Sequence, residues 1–150
     1  MKTSELVGAH LSYWVAMAER TAEGTNFRAT LPPAEPEIDL VGADGRSVEF
    51  VPWRDWAQGG PIMERERIAV VSMGGQWCAF RPGGIAAQMS AYEPFEDQVG
   101  HGYIDVSAVD ADATGPTMLI AAMRAYVESR FGPDVSDESA EVFSDEKRNG

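Results

Sequence analysis

The hydrophobic positions of the first twenty residues repeat with the period of an α-helix. Five of them fall on one stripe, at i, i+4, i+7, i+8 and i+11: Val7, Leu11, Trp14, Val15 and Ala18. Thr3 or Ser4 offers a capping side chain at the N-terminal end. We therefore expect a helix near residues 4–20, with Trp14 and Val15 buried in the core.

A second helical pattern begins at Pro116, which suits a first helical turn because its missing N–H has no partner there. One face of this pattern is mainly apolar: Leu119, Ala122, Met123, Tyr126 and Arg130. Gly132 and Pro133 follow, in the order typical of a helix C-terminus. The pattern predicts a helix near 116–131, with Leu119 and Met123 buried.

Between these two helices the hydrophobic period changes to two, which is the period of a β-strand. Ile38 and Leu40 alternate with polar neighbours. After a Gly-Ala-Asp-Gly turn at 42–45, Val48 and Phe50 alternate in the same way. The pattern predicts a first antiparallel hairpin.

A second hairpin is predicted where the runs 67–73 and 76–81 are joined by a Gly-Gly link alone. Such a link is a strong hairpin signal, because glycine adopts a positive φ without steric cost. Weaker strand patterns occupy 87–92 and 103–109. The middle of the chain is therefore expected to form an antiparallel sheet.

The order helix, antiparallel strands, helix indicates an α+β fold, in which an antiparallel β-sheet meander packs against an N-terminal and a C-terminal helix. The length of 150 residues fits one domain. We place that domain at residues 1–132. Residues 133–150 carry six acidic and two basic side chains and few apolar ones, so we expect an acidic, weakly ordered C-terminal tail.

The charge balance is acidic: 24 Asp plus Glu residues oppose 12 Lys plus Arg, a formal net charge of −12. Such a charge repels phosphate backbones and argues against a nucleic-acid partner. No apolar run approaches the ~18 residues that a membrane span needs. The N-terminal segment also lacks the apolar stretch of a signal peptide. We expect a cytoplasmic protein without a membrane partner.

The motifs of several common chemistries are missing from the sequence. It contains no phosphate-binding P-loop, no dinucleotide-binding glycine motif and no His-Glu-x-x-His zinc motif. One cysteine, Cys78, and two histidines, His10 and His101, are too few soft ligands for a structural zinc site. Cys78 lies in a predicted strand and is expected to be a buried, inert residue. These observations favour a binding protein over an enzyme, with no catalytic residue, metal or cofactor assigned.

The segment 53–67 is the strongest candidate for a binding site, because it combines two indoles, a Gly-Gly-Pro sequence and three arginines. Aromatic faces stack on planar rings, whereas guanidinium groups and turn amides hold anions. We interpret Gly-Gly-Pro as a turn. The predicted ligand-binding residues are Trp53, Trp56, Gly59, Gly60, Pro61, Arg65, Arg67 and, from the C-terminal helix, Arg124. The alternative is that both tryptophans belong to the core or to a lid over the sheet.

Three blocks of the sequence resemble the NinX-like family of tailed-phage proteins. The blocks are Met1–Leu6 with Tyr13–Ala16, Asp55–Glu66 and Gly115–Val127. The connector at 31–36 and the insertion at 83–112 are longer than in the family pattern. The resemblance implies a small phage or prophage accessory protein that works in the cytoplasm of the host. The family itself is a domain of unknown function.

Three functions remain open at this point. The first is binding of a nucleotide-like anion, by which a phage sequesters a small molecule of host defence signalling. The second is an acidic modulator that binds a basic host protein. The third is a small hydrolase that uses Glu64, Glu66 or Asp55 for acid–base chemistry. A homo-oligomer is compatible with each of them.

Overall fold

A computed structural model describes residues 1–23, 26–82, 111–137 and 139. Within these residues the chain forms three α-helices, six β-strands and one short 3-10 helix, Thr3–Glu5. The helices are α1 (Gly8–Glu23), α2 (Trp56–Glu66) and α3 (Met118–Phe131). The strands are β1 (Phe27–Thr30), β2 (Glu37–Val41), β3 (Ser47–Glu49), β4 (Ala69–Met73), β5 (Gln76–Phe80) and β6 (Ala113–Gly115).

Both helices predicted from the periodicity are confirmed. All four side chains that were expected to be buried have at most 5% of their surface exposed: Trp14, Val15, Leu119 and Met123. The N-terminal helix begins later than predicted, at Gly8, and the exposed Val7 precedes it. Thr3 does not cap it, because its hydroxyl donates a hydrogen bond to the carbonyl of Gly132 over 2.8 Å.

The strands form two antiparallel meanders, with the orders β1-β2-β3 and β4-β5-β6. The predicted α+β class and both predicted hairpins are therefore confirmed. The strands make two sheets rather than one, because α2 separates them along the chain. β1 and β6, of four and three residues, were not predicted from the sequence. The strand patterns at 87–92 and 103–109 lie outside the described residues.

Helix α2 corrects the interpretation of Gly59, Gly60 and Pro61 as a turn, because all three lie inside it. The helix begins where the carboxylate of Asp55 accepts a hydrogen bond from the N–H of Ala57 over 2.9 Å. Proline inside a helix removes one backbone hydrogen bond. The helix forms nevertheless, because its buried face packs on the rest of the protein and outweighs the weak local propensity.

Helix α3 is the centre of the fold. Every residue from Ala121 to Val127 is buried, since α3 contacts α1, α2 and all three strands of the second sheet. A helix that is apolar on nearly all sides is stable only when neighbours surround it. Trp14 of α1 joins this core and lies with its ring 5.2 Å from that of Phe131.

The packing continues past residue 132, the predicted end of the domain. The N–H of Thr3 donates to the carbonyl of Pro133, and that of Val135 donates to the carbonyl of Met1, both over 2.9 Å. Ser139 is fully buried, and its hydroxyl accepts a hydrogen bond from the indole of Trp14 over 3.2 Å. The first residues after 132 therefore contact the N-terminal segment, while the order of the rest of the tail stays a prediction.

Candidate functional site

The residues of the segment 53–67 do not line one common site, because the two ends of α2 contact different parts of the protein. Trp53 and Trp56 lie at the N-terminal end of this helix. Arg65 and Arg67 lie at its C-terminal end, about two and a half turns away at 3.6 residues per turn. The structure therefore separates the predicted aromatic groups from the predicted cations.

The two tryptophans line a cleft with a volume of about 410 Å³, which we name the tryptophan cleft. Its walls come from the start of α2, from β5 and from the first turn of α3. The lining residues are Trp53, Arg54, Trp56, Trp77, Pro116, Thr117, Met118, Leu119 and Ile120. The volume falls within the usual range for small-molecule sites, roughly 300–1,000 Å³.

The three indoles of the cleft differ in how firmly they are held. Trp53 is half-buried, and its Nε1–H donates to the hydroxyl of the buried Ser12 over 2.8 Å. Trp77 is half-buried on β5, whose next residue, Cys78, points into the core. Trp56 is 53% exposed. One ring held by a hydrogen bond, one half-buried ring and one exposed ring thus line the cleft.

Among the described residues that line the tryptophan cleft, Arg54 is the single charged one. Its guanidinium carbon lies 5.3 Å from the ring centre of Trp53, within the range of a cation–π contact. The carboxylate of Glu49 accepts hydrogen bonds from Arg54 over 3.4 and 3.5 Å, which is long for such a pair. Arg54 therefore keeps donors that a ligand anion can use.

Gln58 holds the chain that leads into the cleft. Its amide oxygen accepts a hydrogen bond from the N–H of Val51 over 2.7 Å, and its amide nitrogen donates to the carbonyl of Glu49 over 2.8 Å. These bonds fix residues 49–51 against α2. They also fix the backbone of Glu49, whose carboxylate pairs with Arg54.

The predicted glycines and proline do not line the cleft, and of the three only Gly59 makes a close contact with one of its walls. Gly59 is buried, and a Cβ added there would lie 2.2 Å from the carbonyl oxygen of Pro52 and 2.8 Å from the side chain of Leu119. Only glycine permits that approach, which brings α2 against a wall of the cleft. Gly60 and Pro61 lie on less crowded sides of the helix.

Arg65 is engaged within the protein and does not reach the tryptophan cleft. It makes a bidentate pair with the carboxylate of Glu19 and donates to the hydroxyl of Tyr126 over 3.1 Å. That hydroxyl in turn donates to Glu19 over 2.7 Å. We name these three residues the Glu19 network; it joins α1, α2 and α3.

The pKa values within the Glu19 network shift as this geometry requires. The hydrogen bond from Arg65 to Glu19 raises the pKa of Arg65. Burial, followed by the hydrogen bond to Glu19, raises the pKa of Tyr126. The network therefore favours a charged arginine and a neutral tyrosine.

The two remaining predicted arginines also lie away from the cleft. Arg124 is buried, and it donates to the carbonyls of Leu6 and Thr114, each over 2.9 Å. Burial lowers its pKa. Arg67 is exposed at the C-terminus of α2, where it adopts a left-handed conformation with φ of 54°. The structure thus brings together Trp53 and Trp56 of the predicted set, but none of its arginines.

The carboxylates considered for a hydrolase do not converge. Asp55 caps α2, and Glu66 pairs with Arg130 over 2.6 Å. Glu64 is exposed on α2. Over the parts of the chain that the structure describes, no group of three or more His, Cys, Asp or Glu side chains is placed to hold a metal ion.

Three parts of the cleft were missed by the sequence analysis: Arg54, Trp77 and the run 116–120. Arg54 lies inside the predicted segment, and its position between two tryptophans was the available signal. Trp77 and 116–120 are distant in sequence and meet the segment only through tertiary packing.

A comparison with protein families identifies the chain. The family model described as bacteriophage P22, NinX, matches residues 2–130. The chain belongs to this NinX family. The match covers most of the sequence and includes the three blocks that carried the resemblance. No curated protein matches the chain. Over the described residues, no helix has the length and apolar character to cross a membrane.

Proposed function

We propose that this NinX-family protein acts by binding a small molecule in the tryptophan cleft, and that the ligand combines a planar ring with an anionic group. The observation that carries the proposal is the placement of three indoles and one accessible arginine around a single cleft of about 410 Å³. Such a ligand is nucleotide-like. A phage protein that binds it in the host cytoplasm would lower the free concentration of a host defence signal.

The chemistry of the cleft supports a ring ligand. Trp56 offers an exposed indole face, and Trp53 is fixed by its hydrogen bond to Ser12. Stacking on an aromatic side chain contributes about 1–3 kcal/mol per base. A hydrogen bond to a charged group such as Arg54 contributes about 1.5–3 kcal/mol. Together these contributions amount to about 2.5–6 kcal/mol, which corresponds to a Kd between about 15 mM and about 40 μM.

The test is a titration of the protein with nucleosides and nucleotides, followed by tryptophan fluorescence and calorimetry. Trp56→Ala is expected to weaken binding by about tenfold or more. Its free energy of unfolding should fall by less than about 1 kcal/mol, because the side chain is half exposed. Val71→Ala is the matched control, since it removes an exposed apolar side chain from a strand outside the cleft.

A second variant tests the anionic part of the ligand. Arg54→Gln should weaken binding of a nucleotide more than binding of the matching nucleoside, whereas Arg46→Gln, at another exposed arginine, should change neither. If Trp56→Ala and Arg54→Gln both bind as the unmodified protein does, the cleft is not the site.

One observation favours a host protein as a second candidate partner. Trp56 is an exposed aromatic side chain on a protein of net charge −12. A basic segment of a host protein would be attracted by the negative charge and would make apolar contacts with Trp56. Affinity capture from host lysate with the unmodified protein and with Trp56→Ala separates the two candidates. A host protein that is retained by the former alone, without any nucleotide binding, would favour the second.

A further inference from the structure

The charges around the tryptophan cleft limit the charge of its ligand. Arg54 is the one cation that lines the cleft in the described part of the chain. Its positive charge is shared with Glu49, whose carboxylate lies 3.4 Å from the guanidinium. The described lining thus offers a ligand one positive charge, and that charge is already partly neutralised. A ligand with several negative charges would therefore bring most of them into the cleft without a cationic partner.

The rest of the protein strengthens this limit. Its formal net charge of −12 produces a negative potential, which disfavours polyanions before they reach the cleft. Sites that hold polyphosphates in other proteins use several cations or a metal ion. The arginines that might have served here are committed elsewhere, Arg65 to Glu19 and Arg124 to backbone carbonyls.

The volume of the cleft limits the size of the ligand. About 410 Å³ lies at the small end of the range for ligand sites, roughly 300–1,000 Å³. One ring system with a sugar is of that size, whereas two stacked nucleotides are not. The three indoles surround one apolar space, which suits one planar ring.

From these limits we infer that the tryptophan cleft takes a ligand of single-nucleoside size with one negative charge, such as a nucleoside cyclic monophosphate. Nucleoside polyphosphates and dinucleotides are excluded. This inference rests on the proposed function, because it refines the ligand of the same cleft. The phosphodiester of a cyclic monophosphate carries one negative charge, which the donors of Arg54 can accept.

The experiment compares adenosine, adenosine 3′,5′-cyclic monophosphate and adenosine triphosphate by calorimetry, without divalent metal ions. We repeat it with the guanosine, cytidine and uridine series, so that the choice of base does not decide the result. The singly charged or neutral compounds should bind at least about tenfold more tightly than the triphosphate. Raising the ionic strength toward about 0.15 M should narrow that difference, because salt screens the repulsion.

Two variants test the role of the charges directly. Glu49→Gln frees Arg54 and should tighten binding of the cyclic monophosphate by about twofold to fivefold, without changing that of adenosine. Glu64→Gln makes the same change in net charge on an exposed part of α2 outside the cleft lining, and should change neither.

The outcomes separate the two claims. A triphosphate that binds as tightly as the cyclic monophosphate would overturn the charge limit and leave the cleft as a binding site. The charge limit would also fail if Glu64→Gln matched the effect of Glu49→Gln. If no compound of any base series binds, the proposed function fails, and this inference fails with it.

Discussion

The two ends of helix α2 differ in whether their functional groups find partners inside the protein. At the N-terminal end, Trp56 is 53% exposed and Arg54 has only a long contact with Glu49. At the C-terminal end, Arg65 is bound by Glu19 and by the hydroxyl of Tyr126. The arginine at the N-terminal end therefore keeps donors for a ligand, whereas Arg65 at the other end is engaged within the fold. An arginine near a tryptophan in sequence is not evidence of a site until its partners are known.

The substitution with the greatest predicted effect is at Gly59. It tests whether the close contact between Gly59 and Pro52 holds α2 in place. Gly59→Ala would put a Cβ 2.2 Å from the carbonyl oxygen of Pro52, so the backbone must move. We expect the free energy of unfolding to fall by about 3 kcal/mol. Urea denaturation measures this loss.

Gly60→Ala is the matched control for that substitution. The nearest atom to its added Cβ, in the ring of Trp56, is 3.8 Å away, an ordinary contact. Because alanine favours a helix over glycine, this variant should be as stable as the unmodified protein or more stable, by up to about 1 kcal/mol. Equal losses in both variants would show that the close approach at Gly59 is unimportant.

The second substitution removes Arg65 at the C-terminal end of α2. Arg65→Ala leaves the carboxylate of Glu19, whose side chain is 11% exposed, without its cation. We expect a loss of about 2–3 kcal/mol in the free energy of unfolding and no change in ligand affinity at the cleft. Arg67→Ala, at an exposed neighbour, should cost within about 0.5 kcal/mol. If Arg65→Ala weakened ligand binding as strongly as Trp56→Ala, Arg65 would serve the ligand site as well as the fold.

A pH dependence provides the third test, again at the Glu19 network. Burial raises the pKa of Tyr126 in the folded protein above the ordinary value of about 10. The unfolded chain therefore releases this proton first as the pH rises. The stabilisation is complete below about pH 10 and is lost above it, by up to about 1.4 kcal/mol per pH unit. Urea denaturation between about pH 9 and about pH 11 should show this loss, and Tyr126→Phe should remove that part of the slope. An identical slope in both proteins would contradict the assignment.

The fourth substitution tests how much the hydrogen bond between Trp53 and Ser12 contributes to the cleft. Ser12→Ala removes the acceptor of the Trp53 indole N–H. We expect a loss of about 1 kcal/mol in stability and less than about fivefold in ligand affinity, since Ser12 positions the ring without lining the cleft. Ser4→Ala, at an exposed serine, is the control. A loss of affinity above tenfold with unchanged stability would mean that Ser12 itself contacts the ligand.

Local sequence patterns predict those elements whose hydrophobic repeat is long or whose turn residues are distinctive. The apolar stripe of α1, the strands around the Gly-Gly link and the Gly132 boundary of α3 all follow from backbone sterics and burial of one face. These signals lie within a few residues of each other. They also sufficed to place Trp53 and Trp56 in a candidate site. The start of α3 was predicted too early, because Thr117 caps the helix and Pro116 lies before it.

The conformation of the segment between the two sheets depends on contacts that are distant in sequence. Gly-Gly-Pro has weak helical propensity, yet it lies in α2, because Gly59 packs against Pro52 and Leu119. The partner of Arg65 is 46 residues away in sequence, and the third indole of the cleft, Trp77, comes from another element. Which charges are neutralised and which remain free depends on such distant contacts, and a local pattern contains no information about them.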